Sequence, residues 1–305
     1  MTHFEKFCIG ASPSSIIPFF AADLDFNRFD WVVFDTAIND RNFYSHEAIR
    51  RDQIASFLRW GVATAAKSRC RAAFLVMPTR PLLWRTTLSA IIYEEVARES
   101  RAPLLDGFDF VRTYSLASGS PAKELFTDDF HLRRDVARHL GKVLVEKMYA
   151  DRLTRPRSSG VSYDYRKIGV EDFPVPHVYR ENSLLSQKLA LFVDGGEAVL
   201  ELPAYSEISA IAFNAAKTNG SLVLDTGTRF VKSLHTDFYG QGKQFLMNVF
   251  PVTGRVQVGQ SGRISVKLAA LGEEPTEPSR FNSRSLTENT AEVASIIYKV
   301  NQRQI

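Results

Sequence analysis

Apolar and polar positions follow two different rhythms along this chain. Up to about residue 150, short apolar runs alternate with stretches in which apolar residues recur every three or four positions. Residues 4–9, 31–34, 72–77 and 104–108 are short, largely apolar and bounded by polar, Pro or Gly positions, the pattern of strands buried on both faces of a parallel sheet. Between them Ile54, Phe57, Leu58, Val62 and Ala65 form one helical face, Leu88, Ile91, Ile92 and Val96 a second, and Val136, Leu140, Val143, Leu144 and Met148 a third. This alternation predicts a three-layer α/β domain with a mostly parallel sheet, in which ligands bind beyond the carboxyl ends of the strands.

The rhythm changes after Tyr149. Residues 151–160 are polar and rich in breakers, as a linker is, and beyond them come short β-like runs at 189–193, 199–202, 208–213, 222–224, 245–250 and 264–268. Turn residues such as Asp194-Gly195-Gly196, Asn219-Gly220 and Gly240-Gln241-Gly242 separate several of them. Residues 292–300 read as a further strand. Short strands with turns at this spacing predict a jelly-roll-like β-sandwich, so the expected division is an α/β domain over residues 1–155 and an all-β domain over 156–305.

Composition excludes more than it specifies. A chain of 305 residues, 45% hydrophobic and 24% charged, has the material of an ordinary globular protein. Its net charge of +4 is mild, and the basic cluster at Arg152–Arg157 reads as a solvated linker rather than a nucleic-acid surface. No segment is apolar for long enough to span a bilayer, and the N-terminus has no signal-peptide core, so a cytoplasmic location is expected, with neither membrane nor nucleic acid as partner. Cys8 and Cys70 each lie in or beside a predicted strand and read as buried thiols rather than a bridge. His177 and His235 have no metal-ligand partners at useful spacing, so no metal and no cofactor is expected. The oligomeric state is not legible.

Three places carry candidate chemistry. Ser12 follows the first predicted strand and precedes Pro13. That context suits a helix N-cap, and equally a nucleophile beside free backbone N–H groups. Asn39 closes the second predicted strand, either as an ordinary turn residue or as an amide able to donate to an oxyanion, where one donor is worth about 3 kcal/mol of barrier. Asp128 and His131 stand three residues apart before the third helical face. The carboxylate is a helix cap and the imidazole a surface group on one reading. On the other, Asp128 fixes the tautomer of a general base. Arg80 and Arg85 follow the strand at 72–77 and face either solvent or an anionic substrate, while Asp40 flanks the same end of the sheet as a possible substrate contact or a member of an ion-pair network.

The order of the blocks Gly10-Ala11-Ser12, Ala37-Ile38-Asn39-Asp40 and Asp128-Asp129-Phe130-His131 resembles the SGNH, or GDSL-type, hydrolase superfamily over roughly residues 1–150. The resemblance implies a flavodoxin-like SGNH domain, a triad of Ser12, His131 and Asp128, and oxyanion donors from the Ser12 N–H and Asn39. Ala11 stands where the family has Asp, and Ala37 where it has Gly. Only 18 residues separate Ser12 from Trp31, none of them glycine, so the block that normally supplies a third oxyanion donor is missing unless another part of the chain replaces it. The implied function is removal of an O-acyl, foremost O-acetyl, group from a carbohydrate; the carbohydrate enters only through esterases that pair this fold with a jelly-roll. Two alternatives stay open: an O-acyltransferase using the same triad with acyl-CoA as donor, and a non-catalytic scaffold. Tyr163, Tyr165 and Tyr239 of the β region are candidate sugar-stacking surfaces or ordinary core residues.

Overall fold

The computed structural model describes residues 4–7, 11–153, 160–183, 185–236, 244–279, 281 and 289–301. It divides into two units. One comprises Leu24–Tyr44 and Arg51–Val161, the other Met1–Asp23, Ser45–Arg50 and Ser162–Ile305. The expected cut near residue 155 therefore meets a division in which the first 23 residues go with the later half of the chain.

The first unit is an α/β layer structure. Its parallel sheet has the order β1–β2–β3, formed by Trp31–Phe34, Arg71–Val76 and Leu104–Asp106, with β2 central. These are the predicted runs, with the third ending two residues early. There Asp106 accepts a hydrogen bond from the Phe108 N–H at 2.8 Å and starts a helix that periodicity did not reveal. Helix α3 (Arg51–Lys67) buries the face read from sequence: Ile54, Phe57, Leu58, Val62 and Ala65 are all almost fully enclosed. Helix α4 (Leu88–Ser100) turns a rotated face inward. Ile92, Tyr93, Val96 and Ala97 are buried, while Ile91 is exposed. The Tyr93 ring packs edge-on to Phe74 of β2, which lies against Phe34 of β1, so the largest side chains select the face. Helix α2 (Ala37–Ser45) follows β1, α5 (Gly107–Ser118) follows β3, and α6 (Arg134–Ala150) closes the unit with Val136, Leu140 and Leu144 inward.

The strands described in the second unit pair antiparallel with one another. Strands β4 (Tyr163–Ile168), β5 (His177–Glu181), β6 (Ser186–Phe192), β8 (Glu207–Asn214), β11 (Met247–Pro251) and β13 (Ala291–Asn301) form one sheet. Strands β7 (Glu197–Glu201), β9 (Ser221–Asp225), β10 (Arg229–Ser233) and β12 (Arg263–Leu268) form another, in the order β10–β9–β12–β7. The predicted runs are all present; β4, β5 and β10 are additional, each mixing charged residues with apolar ones so that no clean period shows. Asp194-Gly195 makes the expected turn between β6 and β7, with Gly195 at φ +79°. Gly240-Gln241-Gly242 and residues 154–159 of the expected linker lie outside the described residues.

The strand expected at 4–9 is corrected. Phe4–Phe7 make no strand pairing, and residues 8–10 lie outside the described set. The segment enters α1 (Ile16–Ala21), which packs on β4, β11 and β13. It is fastened there by polar contacts: Ser15 Oγ donates to the Val249 carbonyl at 2.8 Å, and Lys167 Nζ donates to the Phe19 carbonyl at 3.0 Å while pairing with Asp23. With Ile16, Ile17 and Phe19 buried, this short helix is part of the β unit's core.

Candidate active site

At the carboxyl end of β1 the chain turns through Asp35 and Thr36 into α2. Asn39 is thus a half-buried residue of the first helical turn rather than the end of a strand. The turn is organised by a buried carboxylate. Asp40 is fully enclosed, and its Oδ2 lies 3.0 Å from both Thr36 Oγ1 and the Tyr93 hydroxyl, which are 2.6 Å from each other. Two hydroxyl hydrogens serve three close contacts, so both hydroxyls are committed to this triangle. Burial and the neighbouring Asp40 charge push the Tyr93 hydroxyl pKa well above its ordinary range. Asp40, expected as a weak substrate contact, is instead the internal anchor of the turn that carries Asn39. Beside it, Arg41 donates to Thr79 Oγ1 at 3.2 Å, tying α2 to the loop after β2, and burial lowers the guanidinium pKa.

That loop receives the Asp-x-x-His segment. Arg80, expected to meet an anionic substrate, is spent on Asp129. Its Nε and Nη2 donate to Asp129 Oδ1 at 2.9 and 2.5 Å, and its N–H donates to the Asp129 carbonyl at 2.9 Å. Arg85 is exposed on the same loop, its N–H closing a turn on the Leu82 carbonyl. Gly107 completes the packing. A Cβ there would sit 2.6 Å from the Val76 carbonyl and from Pro78 Cδ, so only glycine lets α5 approach the end of β2.

The segment itself is a closed loop. Phe126 and Leu132 form an isolated antiparallel bridge, and the Thr127 N–H donates to the His131 carbonyl at 2.8 Å. Asp128 caps no helix, since α6 begins after Arg133. Its Oδ1 accepts from the Phe130 and His131 N–H groups at 2.8 and 2.9 Å. His131 Nδ1 lies 2.9 and 2.8 Å from the two carboxylate oxygens. The Phe130 N–H bond first, then the His131 contact, hold the Asp128 pKa below its usual range, so the group is a carboxylate at neutral pH. A carboxylate only accepts, so Nδ1 carries the ring hydrogen and the neutral ring keeps its Nε2 lone pair on a side chain that is 75% exposed.

Ser12 belongs to the β unit, whereas Asn39, Asp128 and His131 belong to the α/β unit. Ser12 is not a helix N-cap; Ser15 holds that position, and α1 has six residues. Ala11 precedes Ser12 with φ +56°, in the left-handed region that Ala adopts only under constraint. The Ser12 hydroxyl donates to Asn248 Oδ1 at 3.0 Å, and Ser12 is 1% exposed. The Val249 N–H reaches both acceptors, Asn248 Oδ1 at 2.9 Å and Ser12 Oγ at 3.3 Å, which orients the amide oxygen toward the serine. The Nδ2 group of Asn248 is buried without a hydrogen-bond partner among the described residues. Leaving such a donor unpaired costs about 1–3 kcal/mol, so it calls for an explanation. Sequence reasoning missed Asn248. Its one local signal is a polar residue inside the apolar run at 246–250.

The other expected features fall elsewhere. Tyr165 is buried edge-on to Tyr163, so it offers no open stacking face, and Tyr239 lies outside the described residues. Cys70 is buried and unbridged, its thiol pushed up to about 12 by burial; Cys8 lies outside the described residues. A cleft lined by Trp31, Cys70, Arg71, Arg101 and Asp151 sits at the amino ends of β1–β3, at the opposite edge of the sheet from the Asp128–His131 loop. Among the described residues no helix is long and apolar enough to cross a membrane.

No protein-family model matches the chain, and no curated protein matches it significantly. Solved structures do. A two-domain esterase active on acetylated mannans aligns with 95% of this chain and 78% of its own, at 11% identity and a TM-score of 0.61. The same esterase co-crystallised with mannopentaose aligns over 95% and 77%, at 11% identity and a TM-score of 0.62. The likeness is one of fold, spanning the α/β and all-β parts together.

Proposed function

We propose that this chain is a serine-type ester hydrolase that removes O-acyl, foremost O-acetyl, groups from a carbohydrate, with Ser12, His131 and Asp128 as its triad. The observation that carries the reading is the Asp128–His131 contact, which leaves an exposed imidazole with its Nε2 lone pair outward. The fold shared with an esterase active on acetylated mannans supports the substrate class, and the Ser12 and Asn39 blocks support an SGNH-type, flavodoxin-like catalytic domain joined to a jelly-roll.

In this mechanism Ser12 Oγ attacks the acyl carbonyl while its hydrogen passes to His131 Nε2. The hydrogen must first leave Asn248 Oδ1, its resting acceptor, which a rotation about the Ser12 Cβ–Oγ bond accomplishes. The Ser12 N–H and the Asn39 amide hold the oxyanion. Collapse expels the sugar oxygen, which takes the hydrogen from His131. Water, deprotonated by His131, then cleaves the acyl-enzyme to acetate and restores Ser12. Asp128 orients His131 and stabilises its imidazolium.

The test is fluorophosphonate labelling with mapping of the labelled residue, together with acetate release from acetylated mannan. The expected result is label on Ser12, acetate release, and loss of both in Ser12→Ala and His131→Ala. Label on another residue, or its persistence in Ser12→Ala, removes the assignment. Label on Ser12 with acyl transfer only in the presence of acyl-CoA and a sugar acceptor reassigns the chain as an acyltransferase. Absence of labelling and turnover leaves a scaffold.

A further inference from the structure

Asn248 is fully buried in β11, its amide oxygen accepts from the Ser12 hydroxyl, and its amide nitrogen has no hydrogen-bond partner among the described residues. Protein interiors rarely tolerate this. A buried amide donor is normally paired, and an exception calls for an explanation, of which a catalytic role is one. The orientation of the amide is not arbitrary. The Val249 N–H points at the same oxygen from 2.9 Å, and reversing the amide would set two donors against each other. The unpaired N–H groups therefore belong to the same amide whose oxygen holds the Ser12 hydroxyl at 3.0 Å, and Ala11, just before Ser12, is at positive φ.

An oxyanion formed by attack of Ser12 carries negative charge close to the serine oxygen. A donor unsatisfied in the resting protein and satisfied only by that charge lowers the barrier without stabilising the ground state. We propose that Asn248 Nδ2 is an oxyanion-hole donor, supplied by strand β11 of the all-β unit in place of the glycine donor missing between Ser12 and Trp31. The inference rests on the Ser12 reading above and adds a catalytic residue to it. It gives the β unit a chemical role as well as a structural one.

Two variants of the full chain separate the roles of this side chain. Asn248→Asp keeps an acceptor for Ser12 and Val249 and removes the amide hydrogens; Asn248→Ala removes donor and acceptor together. Both are read at pH 8 by the rate of fluorophosphonate labelling at Ser12 and by p-nitrophenyl acetate hydrolysis, with thermal unfolding as the control for folding. The expected result is a fall of about 10²–10³-fold in kcat and labelling rate in both variants, with little change in KM. For Asn248→Asp the ratio to wild type should recover as pH is lowered and the carboxyl regains a hydrogen, which a purely structural role would not produce. Asn248→Asp within about threefold of wild type overturns the proposal. So does a faster Asn248→Ala, since that would make Asn248 only a latch on the Ser12 hydroxyl; this variant decides the matter if Asn248→Asp fails to fold. Wild-type protein that reacts at a residue other than Ser12 overturns the parent reading as well, whereas normal Ser12 labelling with active Asn248 variants overturns this inference alone.

Discussion

Replacing Asp128 with Asn is the sharpest test of the His131 base, because the structure dictates how the substituted side chain must sit. Asp128 Oδ1 accepts from two backbone N–H groups at 2.8 and 2.9 Å, while Oδ2 lies 2.8 Å from His131 Nδ1. In Asp128→Asn the carbonyl oxygen must stay on the two N–H donors, since the reversed rotamer sets an NH2 against both. The amide nitrogen then takes the place of Oδ2 and donates to Nδ1. The ring hydrogen moves to Nε2, and the lone pair that should accept the serine hydrogen is lost. The loop should keep its shape, because its backbone bonds and the Arg80–Asp129 contacts are untouched. General-base catalysis is worth about 10²–10⁴-fold, and the expected drop in kcat lies in that range with KM nearly unchanged. Steady-state hydrolysis of p-nitrophenyl acetate provides the rate, and circular dichroism with thermal melting shows whether the loop and fold are intact. Asp129→Asn is the internal control, expected to be milder because Asp129 touches Arg80 rather than the ring. A wild-type rate in Asp128→Asn, or a larger loss in Asp129→Asn, would refute the assignment of Asp128 as the orienting carboxylate.

Arg80→Met should lower kcat by roughly 10- to 100-fold by loosening the loop that carries His131. Its unfolding free energy should change by less than about 1 kcal/mol, because both partners are partly exposed; parallel rate and urea-unfolding measurements check both halves. Gly107→Ala forces a Cβ to 2.6 Å from a backbone carbonyl and should cost about 1–3 kcal/mol in urea unfolding, with no loss expected at Gly119, where an added Cβ meets nothing, beyond the strain of its positive φ. Tyr93→Phe removes the hydroxyl shared by Thr36 and the buried Asp40 and should destabilise by about 2–4 kcal/mol. Because the folded pKa of Tyr93 is raised, its share of stability is complete below pH 10 and declines above it, where the unfolded chain ionises first; urea titrations above pH 10 should show this slope in wild type and a shallower one in Tyr93→Phe.

What could be read from the chain is what depends on near neighbours. The runs at 31–34 and 72–77 became strands, and the 54-57-58-62-65 face of α3 became core, because side-chain periodicity decides which face of an element is apolar. The Asp128–His131 contact was legible for the same reason, since a three-residue spacing closes a loop on itself. What sequence left undecided depends on residues far apart. The apolar segment before Ser12 looks like a strand, yet Ser12 and Ser15 bond to β11 some 236 and 234 residues away, and the helix that follows them is buried among β strands. Helix α4 presents Tyr93 rather than Ile91 because Phe74 and Asp40 offer that ring a packing surface and its hydroxyl a carboxylate. Arg80 looked free to meet an anion until Asp129 was brought beside it, and Asp40 looked accessible until α4 covered it. Asn248 shows locally only as a polar residue inside an apolar run, and its meeting with Ser12, 236 residues away, is set by packing alone. Periodicity records which faces are apolar, but only packing brings distant polar atoms within 3 Å of one another, and those meetings determine which side chains are spent on structure and which remain for chemistry.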